Sequence, residues 1–251
     1  MKVSIITVVY NDQKNIINCI KSVENQDYLN IEHIIIDGKS TDSTLKIIKE
    51  NLSSKIKILS EKDNGMYNAL NKGIELSSGD IIGVLHSDDI FYSNKTISSI
   101  VENFNEKTDL IYGKGMYFND FNGSAKRIYP SNNFKKYYLY FGWIPLHTTI
   151  FIRKSKLIKY GYYEEHFRIA SDYDISLKWF LNKDLNKKYI SKWFVKMKLG
   201  GLSTNIKNQK LKSNEDLTII NKYNLFGYFT LFFKIFRKIP HYILPKLIKY
   251  K

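Results

Sequence analysis

Through the first third of the chain, short runs of β-branched and aliphatic residues alternate with stretches whose apolar residues recur at helical spacing, and that alternation leaves few folds open. The runs are VSIITVV (3–9), IEHIII (31–36), KIKIL (55–59) and DIIGVL (80–85). Between them lie QKNIINCIKSVENQ, STDSTLKIIKENL and GMYNALNKGIELSSG, the last closing on a glycine that suits a helix stop. Strand and helix in this order predict a mainly parallel sheet with helices on its faces. The 251 residues contain no internal repeat and no low-complexity linker, and their number suits one α/β domain with a C-terminal appendage.

In an open parallel sheet a ligand binds beyond the carboxyl ends of the strands. Here those ends are polar: Tyr10, Asn11 and Asp12 after the first run, Asp37 to Thr44 after the second, Ser60 to Gly65 after the third, and His86, Ser87, Asp88 and Asp89 after the fourth. Each group alone is a cap or a turn, with Ser40 or Asp42 capping a helix, Gly38 turning the chain and Asp88 or Asp89 opening a helix. Together they bring several carboxylates to one edge. Adjacent carboxylates repel, and a proton or a cation relieves the repulsion. A carboxylate-held metal can bridge a diphosphate and stabilise it as a leaving group. The chain has no G-x-x-x-x-G-K-[ST] and no G-x-G-x-x-G after its first strand, so neither a P-loop NTPase nor an ordinary dinucleotide dehydrogenase is supported.

Charge is unevenly placed. Residues 181–251 hold a net +13 of the total +15. No zinc-finger spacing or RNA-binding motif accompanies this basic segment, so nucleic acid is not expected, whereas an anionic membrane surface explains it. Cys19 is the only cysteine, which rules out a disulfide within the chain and fits a reducing compartment. The N-terminus reads as a strand rather than a signal peptide, so a cytoplasmic location is expected. From Asn224 onward the tail has no acidic residue and mixes aromatics with lysines. Its apolar runs fall short of the ~20 residues of a spanning helix, so it predicts a helix lying in a membrane interface whose deletion spares transfer to a soluble acceptor. The alternative is a helix that packs its aromatic face on the domain or on a second subunit.

The blocks VSIITVVYNDQKNIINCIKSVENQDY, HIIIDGKSTDST, SEKDNGMYNALNKGI, GDIIGVLHSDD, HTTIFIRKSKLIKYGYYEEHFRIASDYDISLKW and MKLGGLST, over residues 3–204, resemble family 2 glycosyltransferases of the GT-A fold. The resemblance implies a Rossmann-like mixed, mainly parallel sheet flanked by helices. It also implies a catalytic domain over 1–205, with a nucleotide-sugar half (1–94) and an acceptor half (95–205), followed by a helical extension over 206–251. The nucleotide, UDP by family habit, would meet Thr7, Val9, Tyr10, Asn11, Asp37, Ser40, Asp63 and Asn71. Asp89 would be the principal ligand of Mn²⁺ or Mg²⁺, with Asp88 against the ribose or behind the metal and Ser87 at the first position of the Asp-x-Asp pattern.

Asp172 would be the catalytic base of an inverting displacement, Ser171 standing where the family often has a first acid. Asp174 would pair with Lys178 one turn on. His147 would touch phosphate or acceptor, a buried structural histidine being the equal alternative, and residues 200–204 would close over the site. The implied acceptor is a saccharide on a polyprenyl diphosphate, in bacterial O-antigen or capsule assembly on the inner face of the cell membrane. Two other classes remain: a catalytically degenerate membrane- or polyanion-binding module, and a nucleotidyltransferase, which would need a Gly-rich, basic loop that YNDQKN lacks.

Overall fold

The computed structural model describes residues 1–200 and 208–247. Strands β1 (Val3–Val9), β2 (Ile31–Asp37), β3 (Ile56–Ser60) and β4 (Ile81–Val84) lie in the order β3-β2-β1-β4, all parallel. Helices α1 (Ile16–Glu24), α2 (Thr44–Glu50) and α3 (Met66–Leu76) make the crossovers. Strands and helices thus stand where the periodicity predicts them. Every residue of β1 and β2 is buried, the pattern of a sheet covered on both faces. Ile6, Ile34, Ile36 and Leu70 fill one face, and Val3, Ile5, Cys19 and Phe151 fill the other. Val9 is level with Asp37, and Asp37 with Ser60, so these strand ends share one edge.

Beyond β4 the sheet turns mixed. Strand β5 (Ile90–Phe91) directly follows the Asp88-Asp89 pair, so the pair sits in a turn and does not open a helix; α4 (Thr96–Val101) begins only later. Strand β6 (Leu110–Phe118) carries β7 (Arg127–Tyr129) on its edge, β8 (Ile150–Arg153) bridges β4 and β6 antiparallel, and β9 (Lys187–Lys198) runs parallel to β6 and closes on β5. Gly83 allows the β4–β8 join: a Cβ there would lie 2.3 Å from the Phe151 ring. Helices α5 (Lys154–Tyr160) and α6 (Ser171–Leu181) complete the second half.

The C-terminal segment forms α7 (Gln209–Lys222), α8 (Gly227–Phe236) and α9 (Lys238–Leu247). One side of it packs on the domain. Thr230 Oγ1 donates to Tyr140 O at 2.8 Å, Arg237 donates to Gly142 O at 2.9 Å, and the Phe229 and Phe233 rings meet Phe141. The other side leaves Tyr228, Phe232, Phe236, Ile239, Ile243 and Leu247 exposed. Among the described residues no helix is long and apolar enough to cross a membrane.

Candidate active site

The first three strand ends build a polar shelf. Asp37 is fully buried, and its carboxylate accepts the Ser60 hydroxyl at 2.6 Å and the Ser40 amide at 3.2 Å. Ser40 Oγ accepts the Asn11 amide at 2.9 Å, and Asn11 Oδ1 accepts the Thr41 amide at 2.8 Å. These bonds hold Asn11 at φ +51°, a left-handed conformation that asparagine tolerates better than most residues. Tyr10 stands exposed beside Gly38, where an added Cβ would meet Asp63 Oδ2 at 3.2 Å. Tyr10, Asn11, Asp37, Ser40 and Asp63 therefore share one surface.

The expectation for Thr7 and Val9 is one of contact through their backbone, and their side chains are buried. Thr7 is interior, its hydroxyl donating to Leu85 O at 2.8 Å and lying 2.9 Å from His33 Nε2, and the Val9 carbonyl accepts the Gly38 N–H. Asn71 departs from its expected place near the nucleotide. Its amide nitrogen donates to Tyr163 O at 2.9 Å and Glu165 at 3.0 Å, and its oxygen accepts Tyr163 N at 3.0 Å, so its side chain ties α3 to the loop ahead of α6.

The fourth strand end carries the acids. Ser87 Oγ donates to Asp12 Oδ2 at 2.8 Å, locking the ends of β1 and β4 together. Asp89 was expected to face solvent as the principal metal ligand, yet it is only 1% exposed. Its Oδ1 accepts the Lys198 amide of β9 at 3.0 Å, while its Oδ2 is buried with no partner. Closure of β9 over β5 is what covers it. Asp88 is the half-exposed member of the pair. Burial raises the Asp88 carboxyl, His86 opposes the rise and the charge of Asp12 adds to it; burial and then the charge of Asp88 push Asp89 well up.

A divalent cation fits this donor set in part. Hard carboxylate oxygens suit Mg²⁺ or Mn²⁺, and the orphaned Asp89 oxygen and the like charges of Asp12, Asp88 and Asp89 would be relieved by one. Among the described residues, however, no three side chains of His, Cys, Asp or Glu come together to hold a metal alone. Such a cation would need oxygens from a ligand, as a diphosphate provides.

In the second half of the fold, Asp172 lies in the first turn of α6. Its Oδ1 accepts the Tyr173 amide at 2.9 Å and the Tyr67 hydroxyl at 3.4 Å, and its Oδ2 is 3.4 Å from His147 Nδ1. The second His147 nitrogen, Nε2, is 3.1 Å from His86 Nε2, so a line of rings joins α6 to the start of the acidic motif. Burial pushes His147 down to about 4. Burial alone would raise Asp172, but His147, Lys212 and Lys234 outweigh it and hold the carboxyl below its usual range. The Asp172 side chain is 30% exposed.

The expected pairing of Asp174 with Lys178 does not occur. Asp174 is fully buried and bonds Lys222 of α7 at 2.8 Å, while Lys178 faces Glu164 at 3.9 Å. Helix α7 also supplies Glu215, whose carboxylate accepts the amides of Arg168, Ile169 and Ala170 at 2.8, 2.9 and 2.9 Å, just ahead of Asp172. Asp12, His86 and Glu215 are thus functional candidates beyond the expected set. For Asp12 and His86 the signal was their place at a strand end; for Glu215 there was none. Of the stretch expected to close over the site, residues 201–204 lie outside the described residues.

A model of glycosyl transferase family 2 matches residues 4–167. The chain belongs to that family and has the GT-A fold; it is a glycosyltransferase. It is 28% identical over 194 residues to a PGL/p-HBAD biosynthesis glycosyltransferase of Mycobacterium tuberculosis, covering 75% of this chain and 73% of the relative. Among solved structures it resembles S. aureus TarS 1–349 in complex with UDP-GlcNAc, with a TM-score of 0.67, 20% identity, and coverage of 88% of this chain and 67% of that one. Of the longer TarS chain it spans 39%. The mannosyltransferase PcManGT of Pyrobaculum calidifontis, in complex with GDP-Man and Mn²⁺, gives a TM-score of 0.67 at 12% identity, covering 88% of this chain and 63% of that one. At these identities the likeness is one of fold.

Proposed function

We propose that the chain is an inverting hexosyltransferase that moves a sugar from a nucleoside diphosphate, UDP by preference, to a hydroxyl of a saccharide carried on a lipid diphosphate, in the assembly of a bacterial surface polysaccharide. The observation that carries this reading is the electrostatic contrast within the site: burial and like charge raise the Asp88 and Asp89 carboxyls, a rise that His86 and Lys198 oppose at Asp88, whereas the Asp172 carboxyl is lowered by its cationic neighbours. The first arrangement suits a metal-diphosphate, and the second suits a base.

Tyr10, Asn11, Ser40 and Asp63 form the surface for the base and ribose, with the buried Asp37 holding Ser40 beneath it. A divalent cation, Mn²⁺ or Mg²⁺, would be held by Asp88 as the accessible donor with Asp89 behind it, and when bound it neutralises the diphosphate. Asp172 accepts the proton of the acceptor hydroxyl as that oxygen attacks the anomeric carbon from the face opposite the departing diphosphate. One bond forms as the other breaks, so configuration inverts. His147, neutral near pH 7, directs an Nδ1–H toward Asp172 Oδ2 and takes an Nε2–H from His86, which fixes the carboxylate's orientation. Tyr67 does the same from the other oxygen.

Support for an anionic membrane partner comes from the exposed aromatic side of α8 and α9, with Lys135, Lys136 and Lys246 exposed around it. A peripheral place on the inner face of the membrane is the location this reading expects. Sedimentation with phosphatidylglycerol vesicles should show binding that weakens with salt without vanishing; binding abolished by moderate salt, or absent, refutes an apolar docking face. The catalytic reading is tested by screening UDP- and GDP-sugars with Mn²⁺ and reading the product's anomeric configuration by NMR. A product that retains the donor's configuration, or no turnover with any sugar nucleotide, refutes it.

A further inference from the structure

On the acceptor side of Asp172 the C-terminal helices gather cations for which the fold provides almost no anions. The Arg127 guanidinium of β7 lies 5.1 Å from the ring centre of Tyr242, one turn beyond Lys238 in α9; Arg127 and Arg237 lie 5.5 and 5.9 Å from the ring centre of Tyr129; and Lys212 of α7, Lys234 of α8 and Arg127 all act on Lys238. Lys212 and Lys234 also act on Asp172, and the Lys234 ammonium lies 3.2 Å from the ring centre of Tyr173, the residue after Asp172. Among the described residues only Asp216 forms an ion pair with any of these cations, at 2.6 Å from Lys234 Nζ. Elsewhere the same helices pair their lysines well, since Lys222 meets both Asp174 and Glu164.

Two members are buried with unused polar atoms. Arg127 is 6% exposed and its Nε has no partner; its guanidinium lies 4.8, 5.5 and 5.1 Å from the ring centres of Tyr117, Tyr129 and Tyr242. His241 is 5% exposed with Nδ1 unpartnered and its ring 5.1 Å from that of Tyr129. Burial, with the neighbouring cations, lowers Lys238 to about 8, against the pull of Asp216. Lys212 and Lys238 are only half-buried, so the cluster opens to solvent through them.

We propose that this cluster is an anion site for a phosphate or diphosphate ester, gripped by Lys212, Lys238 and Arg127, and that it seats the group tethering the acceptor sugar beside Asp172. It rests on the reading of a phosphate-borne acceptor. A phosphate, with several oxygens to share, suits converging Lys and Arg donors better than a single carboxylate does. The exposed apolar side of α8 and α9 belongs to the same helices.

The test is a calorimetric titration of the full chain with inorganic pyrophosphate in EDTA, comparing the parent with Lys212→Gln/Lys238→Gln and with Asp88→Asn. The double lysine variant should bind pyrophosphate at least tenfold more weakly, Asp88→Asn should bind it like the parent, and UDP with Mn²⁺ should show the reverse pattern. Lys238→Arg, with Lys212 intact, should retain binding, which separates loss of charge from loss of fold. Geranyl diphosphate bound more tightly than dihexanoyl phosphatidylglycerol assigns the site to the acceptor tether; the opposite order assigns it to a bilayer headgroup. Pyrophosphate binding that survives the double lysine variant, or that Asp88→Asn alone removes, overturns the proposal. If UDP fails to bind any of the proteins while the pyrophosphate pattern holds, the donor reading falls and the anion site stands.

Discussion

Glu215→Gln tests whether the C-terminal helices position the catalytic base. The carboxylate accepts three amides from consecutive residues, one oxygen serving Arg168 and the other serving Ile169 and Ala170. Gln keeps the volume but turns one oxygen into an NH₂. If its carbonyl keeps the two amides of Ile169 and Ala170, the NH₂ faces the Arg168 N–H, and one charge-assisted bond becomes a donor-donor contact. A hydrogen bond to a charged group is worth about 1.5–3 kcal/mol, so the loop should loosen by roughly that amount. Because that loop leads straight into Asp172, most of the loss should appear as misplacement of the base, lowering kcat about 10- to 100-fold. UDP affinity should stay within about twofold, since the donor shelf is built from β1, β2 and β3. The assay is kcat and KM for both substrates, UDP titration by calorimetry, and Tm. A variant that melts lower yet keeps the parent's kcat would show that Glu215 only stabilises the fold and refute the positioning role.

The other predictions follow from the site's electrostatics. Asp172→Asn should bind UDP as the parent does and lose about 10²-fold or more in kcat, the usual size of a general-base contribution; near-normal turnover sinks the assignment. Asp88→Asn should raise the Mn²⁺ concentration needed for half-maximal rate, whereas Asp89→Asn should chiefly lower Tm, because Asp89 is the member bonded to the β9 backbone; the reverse pattern would return the metal to Asp89. His33, His147 and His241 are all lowered by burial, to about 3, 4 and 3, so below about pH 6.5 the unfolded chain binds protons that the folded one refuses. Stability should therefore fall with acidification at up to about 4 kcal/mol per pH unit, reduced by the raised Asp88 and Asp89, which work in the opposite sense; urea midpoints flat between pH 6.5 and 5 would contradict it.

Much of the donor half was legible in sequence because its physics is local. Continuous apolar runs mark strands covered on both faces, and the polar residues that end them fall on one edge whatever the details of packing. Asp37, Ser40 and Asn11 could be grouped for that reason. What could not be read depends on chain segments far apart. Burial of Asp89 follows from Lys198, 109 residues away, and the partner of Asp174 is 48 residues away, not one helical turn. The i,i+4 rule offered Lys178, but it governs exposed helix faces, and Asp174 lies on the buried one. Asn71 was likewise drawn from the donor shelf to a loop 92 residues on.

The same long-range pairings decide what the basic tail is. Its composition alone describes an interfacial helix that could be cut away without harm to the chemistry. The contacts argue otherwise. Lys234 lies beyond residue 224 and pairs with Asp216, a carboxylate only 5% exposed, while its ammonium sits 3.2 Å from the centre of the Tyr173 ring, the residue next to the base. A chain ending at 223 would leave Asp216 buried without its cation, a loss of about 3–5 kcal/mol for a broken buried pair, and would uncover Tyr173. Asp216 follows Glu215, so the damage would reach the loop that carries Asp172. The exposed aromatics on one side of α8 and the buried lysine on the other belong to one short helix, and whatever holds that helix at a surface also bears on the base.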